Sequence, residues 1–221
     1  WKSDGKTGFE ISDSERDANG TTIKVYLNKD GIEFANRWQI QNIVKKYSNH
    51  IPYPIYLHYE ETTGNEDNKK IENKTDQINS ASAFWKKPKS TIKKKEYKEF
   101  YSSFSNDNED PMLYMHTQAE GTLDYTTLFY IPSKAPFDLF NSEYKAGVKL
   151  YVKRVFITDD SKELMPSYLR FIKGVIDSED IPLNVSREML QHNQILSKIR
   201  SNSIKKILGE IKKMSKNVEL Y

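Results

Sequence analysis

A mixed α/β fold is predicted by three features of this 221-residue sequence. Aromatic and β-branched runs have strand length, other stretches return their apolar residues at helical spacing, and a charged segment with almost no apolar residues divides the chain into unequal parts. The first part opens on an alternating run, Gly8 to Ser12, followed by a polar turn ending at Asn19-Gly20 and by Thr22 to Leu27, the pattern of a hairpin. From Arg37 the period changes: Ile40, Ile43, Val44 and Tyr47 share one helical face, and His50-Ile51-Pro52 ends the helix. Tyr53 to Tyr59 returns to strand character, and Pro54 predicts that this strand starts late or lies at an edge.

The segment from about Glu60 to Ser82 is rich in Asn, Glu, Lys and Thr, and it is the one linker expected in the chain. Beyond it, Tyr97, Phe100, Tyr101 and Phe104 mark a helix over Lys94 to Phe104. Thr127 to Pro132 and Val148 to Ile157 have the composition of central strands and are joined through Ala135 to Phe140. Pro166 to Ile176 reads as helical or mixed, and Ser186 to about Lys216 reads as one long amphipathic helix with Ile195, Ile199, Ile207, Ile211 and Met214 inward.

Composition excludes several function classes. With no cysteine there is no disulfide, thiolate metal site or Cys nucleophile. Basic and acidic residues number 34 and 31 and are interspersed, so the net charge of +3 argues against a nucleic-acid partner. The densest lysine run, Lys86 to Lys95, is followed by Glu96 and Glu99 and reads as a solvated face. No apolar run approaches the roughly 18 residues of a membrane span, and the N-terminus is not a signal peptide, so no membrane partner is expected. The chain lacks an initiator Met and opens on what reads as mid-strand sequence, which suggests a piece of a longer protein.

Motifs for self-contained catalysis are missing. There is no Gly-x-Ser-x-Gly elbow, no His-Glu-x-x-His spacing among His50, His58, His116 and His192, no Walker A loop and no Gly-x-Gly-x-x-Gly. One position is physically odd. With Asn184 or Ser186 as N-cap of the long helix, Arg187 falls in its first turn, where the macrodipole disfavours a cation by about a few tenths of a kcal/mol. An ion pair back to Asp177, Glu179 or Asp180 would compensate. Alternatively, the guanidinium and free backbone N–H groups would form an anion site. Residue pattern alone leaves both open.

Two long runs resemble the heat-shock-protein-90 family: Gly147 to Asp159, and Phe171 to Gln191 with Asp177-Ser178-Glu179-Asp180-Ile181-Pro182-Leu183-Asn184-Val185-Ser186-Arg187-Glu188-Met189-Leu190-Gln191. Tyr130-Ile131-Pro132, Ala135 to Phe140 and Glu96 to Tyr101 fit the same family, and the short mixed-charge linker is similar to its bacterial HtpG branch. The resemblance implies the C-terminal part of an α/β nucleotide-binding domain over 1–60, a charged linker over 61–83, and the large subdomain of a three-layer αβα middle domain over 84–221.

By the same resemblance, Arg187 contacts the γ-phosphate of ATP held with magnesium by a neighbouring domain, and Gln191 is its companion one turn on. Thr21 is similar to a threonine near adenine, Phe137 and Lys134 to domain-docking positions, and Asn184 to a loop asparagine, with Lys134 standing where the family often has Arg. The family's Glu-x-x-x-Asn and Asp-x-Gly-x-Gly segments do not occur, so this chain alone is expected to be inactive and the full-length protein an ATPase. The resemblance further implies a cytoplasmic, ATP-dependent stress chaperone that binds unfolded or partly folded client proteins and forms a homodimer through a domain outside this sequence. Trp85 is expected as an exposed client contact or a residue docked on its own domain. The competing reading is a client or co-chaperone interaction domain in which Arg187 is merely ion-paired.

Overall fold

The computed structural model describes residues 1–63, 70–136, 139–141, 144, 147–159, 161–183, 190 and 193–216. The chain forms two compact units, Trp1–Asn36 and Arg37–Tyr221.

The first unit is thin. Strand β1 (Lys2–Ser3) pairs antiparallel with β2 (Phe9–Glu10), so that Lys2 faces Glu10 and Ser3 faces Phe9. Asp4 builds the turn between them, accepting from the Lys6 and Thr7 amides at 2.9 and 2.8 Å, and these bonds hold its carboxyl down at about 2. A seven-residue 3-10 segment follows at Lys29–Ala35, capped by the Asn28 side chain on the Gly31 amide. The expected hairpin of Gly8 to Ser12 with Thr22 to Leu27 does not form: the second run is irregular, and Ile23, Val25 and Tyr26 are exposed. Alternation specifies a strand only where one face has something to cover it.

In the second unit, helix α1 (Arg37–Tyr47) forms and stops where the sequence places it, with Ile40 and Val44 half-buried but Ile43 and Tyr47 exposed. Strands β3 (Tyr56–Thr63) and β4 (Lys70–Gln77) pair antiparallel from Tyr56↔Gln77 to Thr63↔Lys70. Much of the segment expected as an unstructured linker is therefore strand. Cross-strand charge holds it in place of apolar burial. Arg37 bonds Glu61 and Asp76 at 3.4 and 3.1 Å and lies 3.8 Å over the Tyr59 ring, while Lys74 pairs with Glu61.

The body is a five-stranded mixed sheet in the order β5 (Leu113–Ala119), β6 (Tyr125–Ile131), β9 (Lys173–Ser178), β7 (Gly147–Val152), β8 (Val155–Thr158). Every pair is antiparallel except β7 with β9. Two expectations fail here. The run Val148 to Ile157 is two strands, because Lys153 and Arg154 take left-handed backbone (φ 50° and 68°) and turn the chain back. The run read as helical or mixed ends in the central strand β9, which is buried on both faces from Gly174 to Ser178.

Alternation along the strands sorts the core into two layers. Phe129, Ile131, Val148, Leu150, Val152 and Ile176 face the helix α4 (Gln194–Met214), which contributes Leu196, Ile199 and Ile207, and the short helix α3 (Ser161–Leu164), which contributes Leu164. Leu128, Tyr130, Tyr151 and Val175 face helix α2 (Lys94–Ser105) and the turn Phe84–Lys86, packing with Tyr97, Tyr101 and Trp85. Helices thus cover both faces of one sheet, and the α/β expectation holds. Trp85 is fully buried, which overturns its reading as an exposed client contact. The single helix from Ser186 is also corrected: Asn193 is extended (ψ 111°), and its side chain caps a new helix by accepting from the Leu196 amide at 3.0 Å.

A polar chain crosses the α2-side layer. The Trp85 carbonyl can only accept, so His116 Nε2 donates to it at 2.8 Å and Nδ1 accepts from the Tyr97 hydroxyl at 2.8 Å. This arrangement uses the neutral imidazole, and burial lowers the His116 pKa from its ordinary 6.5. Burial lowers that of His50 as well, where Nδ1 donates to the Ser82 carbonyl. A depressed folded pKa means that the stabilisation is complete above pH 6.5 and is lost as pH falls through the folded values. Chemical denaturation is expected to show stability declining below pH 6.5, by up to ~1.4 kcal/mol per pH unit for each proton taken up. His116→Gln should flatten that slope, and an unchanged slope would refute the assignment.

Candidate functional site

The predicted phosphate-contacting loop leaves the C-terminal end of the central strand β9, the position in an open α/β sheet where chain reversal exposes polar groups. Asp177 ends the strand's α2-side row and is fully buried. Its Oδ2 accepts from the Trp85 indole at 2.7 Å and its Oδ1 from the Arg154 amide at 3.2 Å. Burial pushes the Asp177 carboxyl above its usual range, opposed by the Lys86 ammonium 3.7 Å away and by the indole hydrogen bond. Lys86 also pairs with Glu179 at 2.6 Å.

The next residues are tied down in turn. The Glu179 amide donates to the Asp124 carbonyl at 3.0 Å, and Asp180 accepts from the Asp124 amide at 2.7 Å. Ser178 Oγ accepts from the Asp180 and Ile181 amides at 3.2 and 3.4 Å. Ile181 is fully buried and Leu190 nearly so, both in the α4-side core, so the two feet of the loop are planted nine residues apart in one apolar cluster. Leu183, between them, is half exposed.

Asn184, Arg187, Gln191 and Phe137 lie outside the described residues. Lys134 is exposed and pairs with Glu109, which also accepts from Ser133 Oγ at 3.2 Å, and that pairing raises the Lys134 pKa. Thr21 is exposed on irregular backbone in the first unit, beside Thr22, whose hydroxyl accepts from Arg16 at 2.9 Å. The cavity that the first unit forms around Trp1, Phe9 and Tyr26 is not lined by Thr21. Among the described residues no group of His, Cys, Asp and Glu is placed to hold a metal, and no helix is long and apolar enough to cross a membrane.

The acidic stretch Asp177-Ser178-Glu179-Asp180 straddles the end of a strand. The structure makes the first two residues the end of a central strand. The missed signal was Trp85, whose indole needs an acceptor wherever it is buried.

A mixed sheet covered by helices on both faces, with a polar loop at the end of its central strand, defines an α/β domain of the heat-shock-protein middle-domain kind. It matches the middle domain of a Plasmodium falciparum heat shock protein with a TM-score of 0.53 and 29% identity, over 62% of this chain and 52% of that one. The chain belongs to the Hsp90 family, whose profile, described as Hsp90 protein, matches residues 59–221. Curated relatives include the chaperone protein HtpG of Helicobacter pylori, 62% identical over all of this chain and 36% of its own length, and that of Borreliella afzelii, 58% identical over 98% of this chain and 35% of its own. The chain therefore spans about a third of the length of the relatives it matches.

Proposed function

We propose that this chain is the phosphate-sensing and domain-coupling part of an ATP-dependent molecular chaperone. The observation that carries the reading is 62% identity along its whole length to a protein named as a chaperone. In this reading residues 1–60 complete a nucleotide-binding domain, 61–83 link it to the rest, and 84–221 form the large subdomain of the middle domain. Unfolded or partly folded proteins are the clients, the full-length protein is a cytoplasmic homodimer, and magnesium accompanies ATP in the neighbouring domain.

Bound ATP would supply a γ-phosphoryl group whose transfer builds negative charge on its oxygens. Arg187 would meet that charge with a guanidinium fork, and Gln191 would add an amide donor from four residues on. The frame of the loop supports this role. The strand end and turn from which the loop leaves are held by Asp177 with Trp85, Arg154 and Lys86, by Glu179 with Lys86, and by Asp180 with the Asp124 amide. Phe137 and Lys134 would dock the neighbouring domain, Asn184 would shape the loop, and Thr21 would reach adenine only when the rest of that pocket is present.

The experiment is an aggregation assay with the full-length protein. It should slow light scattering by a chemically unfolded test protein, and adding ATP should change that protection. Equal scattering with and without the protein would overturn the chaperone reading.

A further inference from the structure

Lys149 interrupts an otherwise apolar strand. Val148, Leu150 and Val152 point into the α4-side core, so strand alternation turns Lys149 to the α2 face beside Tyr151. There it is half-buried, its Nζ 4.6 Å from the centre of the Phe104 ring. It lines a cavity of about 540 Å³ between the end of α1, helix α2 and the β7–β8 hairpin. That volume is typical of small-molecule sites.

The lining combines two chemistries. Lys45 and Lys46 come from the last turn of α1, and Lys149 comes from the sheet. Asp159 is the one carboxylate among the lining residues, so three ammonium groups face one acid and leave an excess of two positive charges. Asn49 and Ser103 add neutral polar groups, and His50 is held neutral by burial. The rest of the wall is aromatic: Phe100, Phe104, Tyr151 and Phe156. Among the described residues Lys149 makes no ion pair or hydrogen bond, and burial lowers its pKa against the pull of Asp159. Among the described residues, only a ring face and one acid offset the desolvation of this half-buried ammonium.

We propose that this cavity binds a small aromatic phosphate monoester, the dianion matching the two excess charges and the ring packing on the Phe and Tyr wall. Charge matching selects a phosphate monoester over a carboxylate, and the aromatic wall selects it over a bare inorganic ion. The cavity lies beside the C-terminal half of β9, where its lining residue Tyr151 pairs with Asp177, and none of the residues named for the Arg187 loop lines it.

The probes are phenyl phosphate, benzoate and inorganic phosphate, titrated into this chain while the amide resonances of Lys149 and Phe104 are followed. Phenyl phosphate should bind saturably, more weakly as salt rises, about tenfold more tightly than benzoate, as expected for one added charge-assisted contact, and more tightly than inorganic phosphate, which has no ring to pack on the aromatic wall. Lys149→Met, which replaces a half-buried cation by an apolar chain of similar length, should leave the chain folded with its thermal midpoint equal or higher, and should weaken phenyl phosphate at least about tenfold. Phe104→Ala should weaken phenyl phosphate and leave inorganic phosphate unchanged. The proposal is overturned by no saturable binding at millimolar phenyl phosphate, by equal affinity for benzoate or inorganic phosphate, or by undiminished binding in a folded Lys149→Met chain.

Discussion

Replacing Arg187 by alanine in the full-length protein is expected to lower maximal ATP turnover by up to roughly a thousandfold or more, the scale of arginine-finger losses. Nucleotide affinity should change far less. The ground-state contacts lie in another domain, and a contact made mainly as charge develops lowers the rate without lowering binding. Arg187→Lys should recover little, because a compact ammonium cannot present two parallel N–H groups to a phosphate. Gln191→Ala should act in the same direction with a smaller loss, since a neutral amide donor contributes less than a charged one. Steady-state turnover and equilibrium ATP binding, measured side by side on each variant, separate the readings. Turnover surviving Arg187→Ala, or a loss confined to ATP binding, would favour the ion-paired interpretation of the loop.

The second large effect concerns folding. Gly174 sits opposite Phe129 where β9 crosses β6, with φ at 145°, a backbone region that side chains rarely enter. A Cβ there would lie 2.0 Å from the Leu128 carbonyl oxygen and 2.9 Å from the Phe129 Cα, both backbone atoms of the sheet's interior. Neither can yield without breaking the β6–β9 ladder. Gly174→Ala should therefore destabilise the chain by ~4 kcal/mol or more, a large share of the total stability of a domain. In a thermal melt that corresponds to a fall of roughly 10 °C or failure to fold. Gly209, on the exposed side of α4 with nothing within 4 Å of its would-be Cβ, is the control: Gly209→Ala should stabilise by ~0.5–1 kcal/mol. A Gly174→Ala chain that melts with the parent would show that the strand can relax there.

The helices were legible where local rules suffice. Pro52 and the Ile40, Ile43, Val44 and Tyr47 face define α1, and the aromatic spacing from Tyr97 to Phe104 defines α2, because a helical face is written within a dozen residues. Strand limits were less legible. The Lys153-Arg154 turn carries neither Gly nor Asn, so nothing in its composition announces left-handed backbone. Strand β9 is buried on both faces, and its one apolar pair, Val175-Ile176, shows neither strand nor helical periodicity. Trp85 sits in a polar neighbourhood of sequence, and its partner Asp177 is 92 residues away. At the candidate loop the sequence named Arg187 and Gln191 through family likeness. The supports of that loop are the burial of Ile181 and Leu190 in one apolar cluster and the pairing of Asp177 with Lys86, which spans the fold and has no local signature. Lys149 did carry one, a charge in mid-strand, but Lys45 and Lys46 lie a hundred residues earlier and nothing in the sequence joins them to it.

The strand order sets when the domain can close. Strand β9 lies between β6 and β7, yet it is the last of the five in the chain. A chain growing from its N-terminus can pair β5 with β6 and β7 with β8 as two separate hairpins, each leaving one long hydrogen-bonding edge open. Those edges stay unpaired until residue 178 has been made, when β9 inserts and joins the hairpins into one sheet in a single late step of high sequence separation. The same insertion carries Asp177 to Trp85 and seats Ile181 in the core, so the loop that bears Arg187 acquires its frame only as the sheet is completed. During its own synthesis the domain thus passes through a stage of exposed strand edges, the surface on which unfinished chains stick to one another.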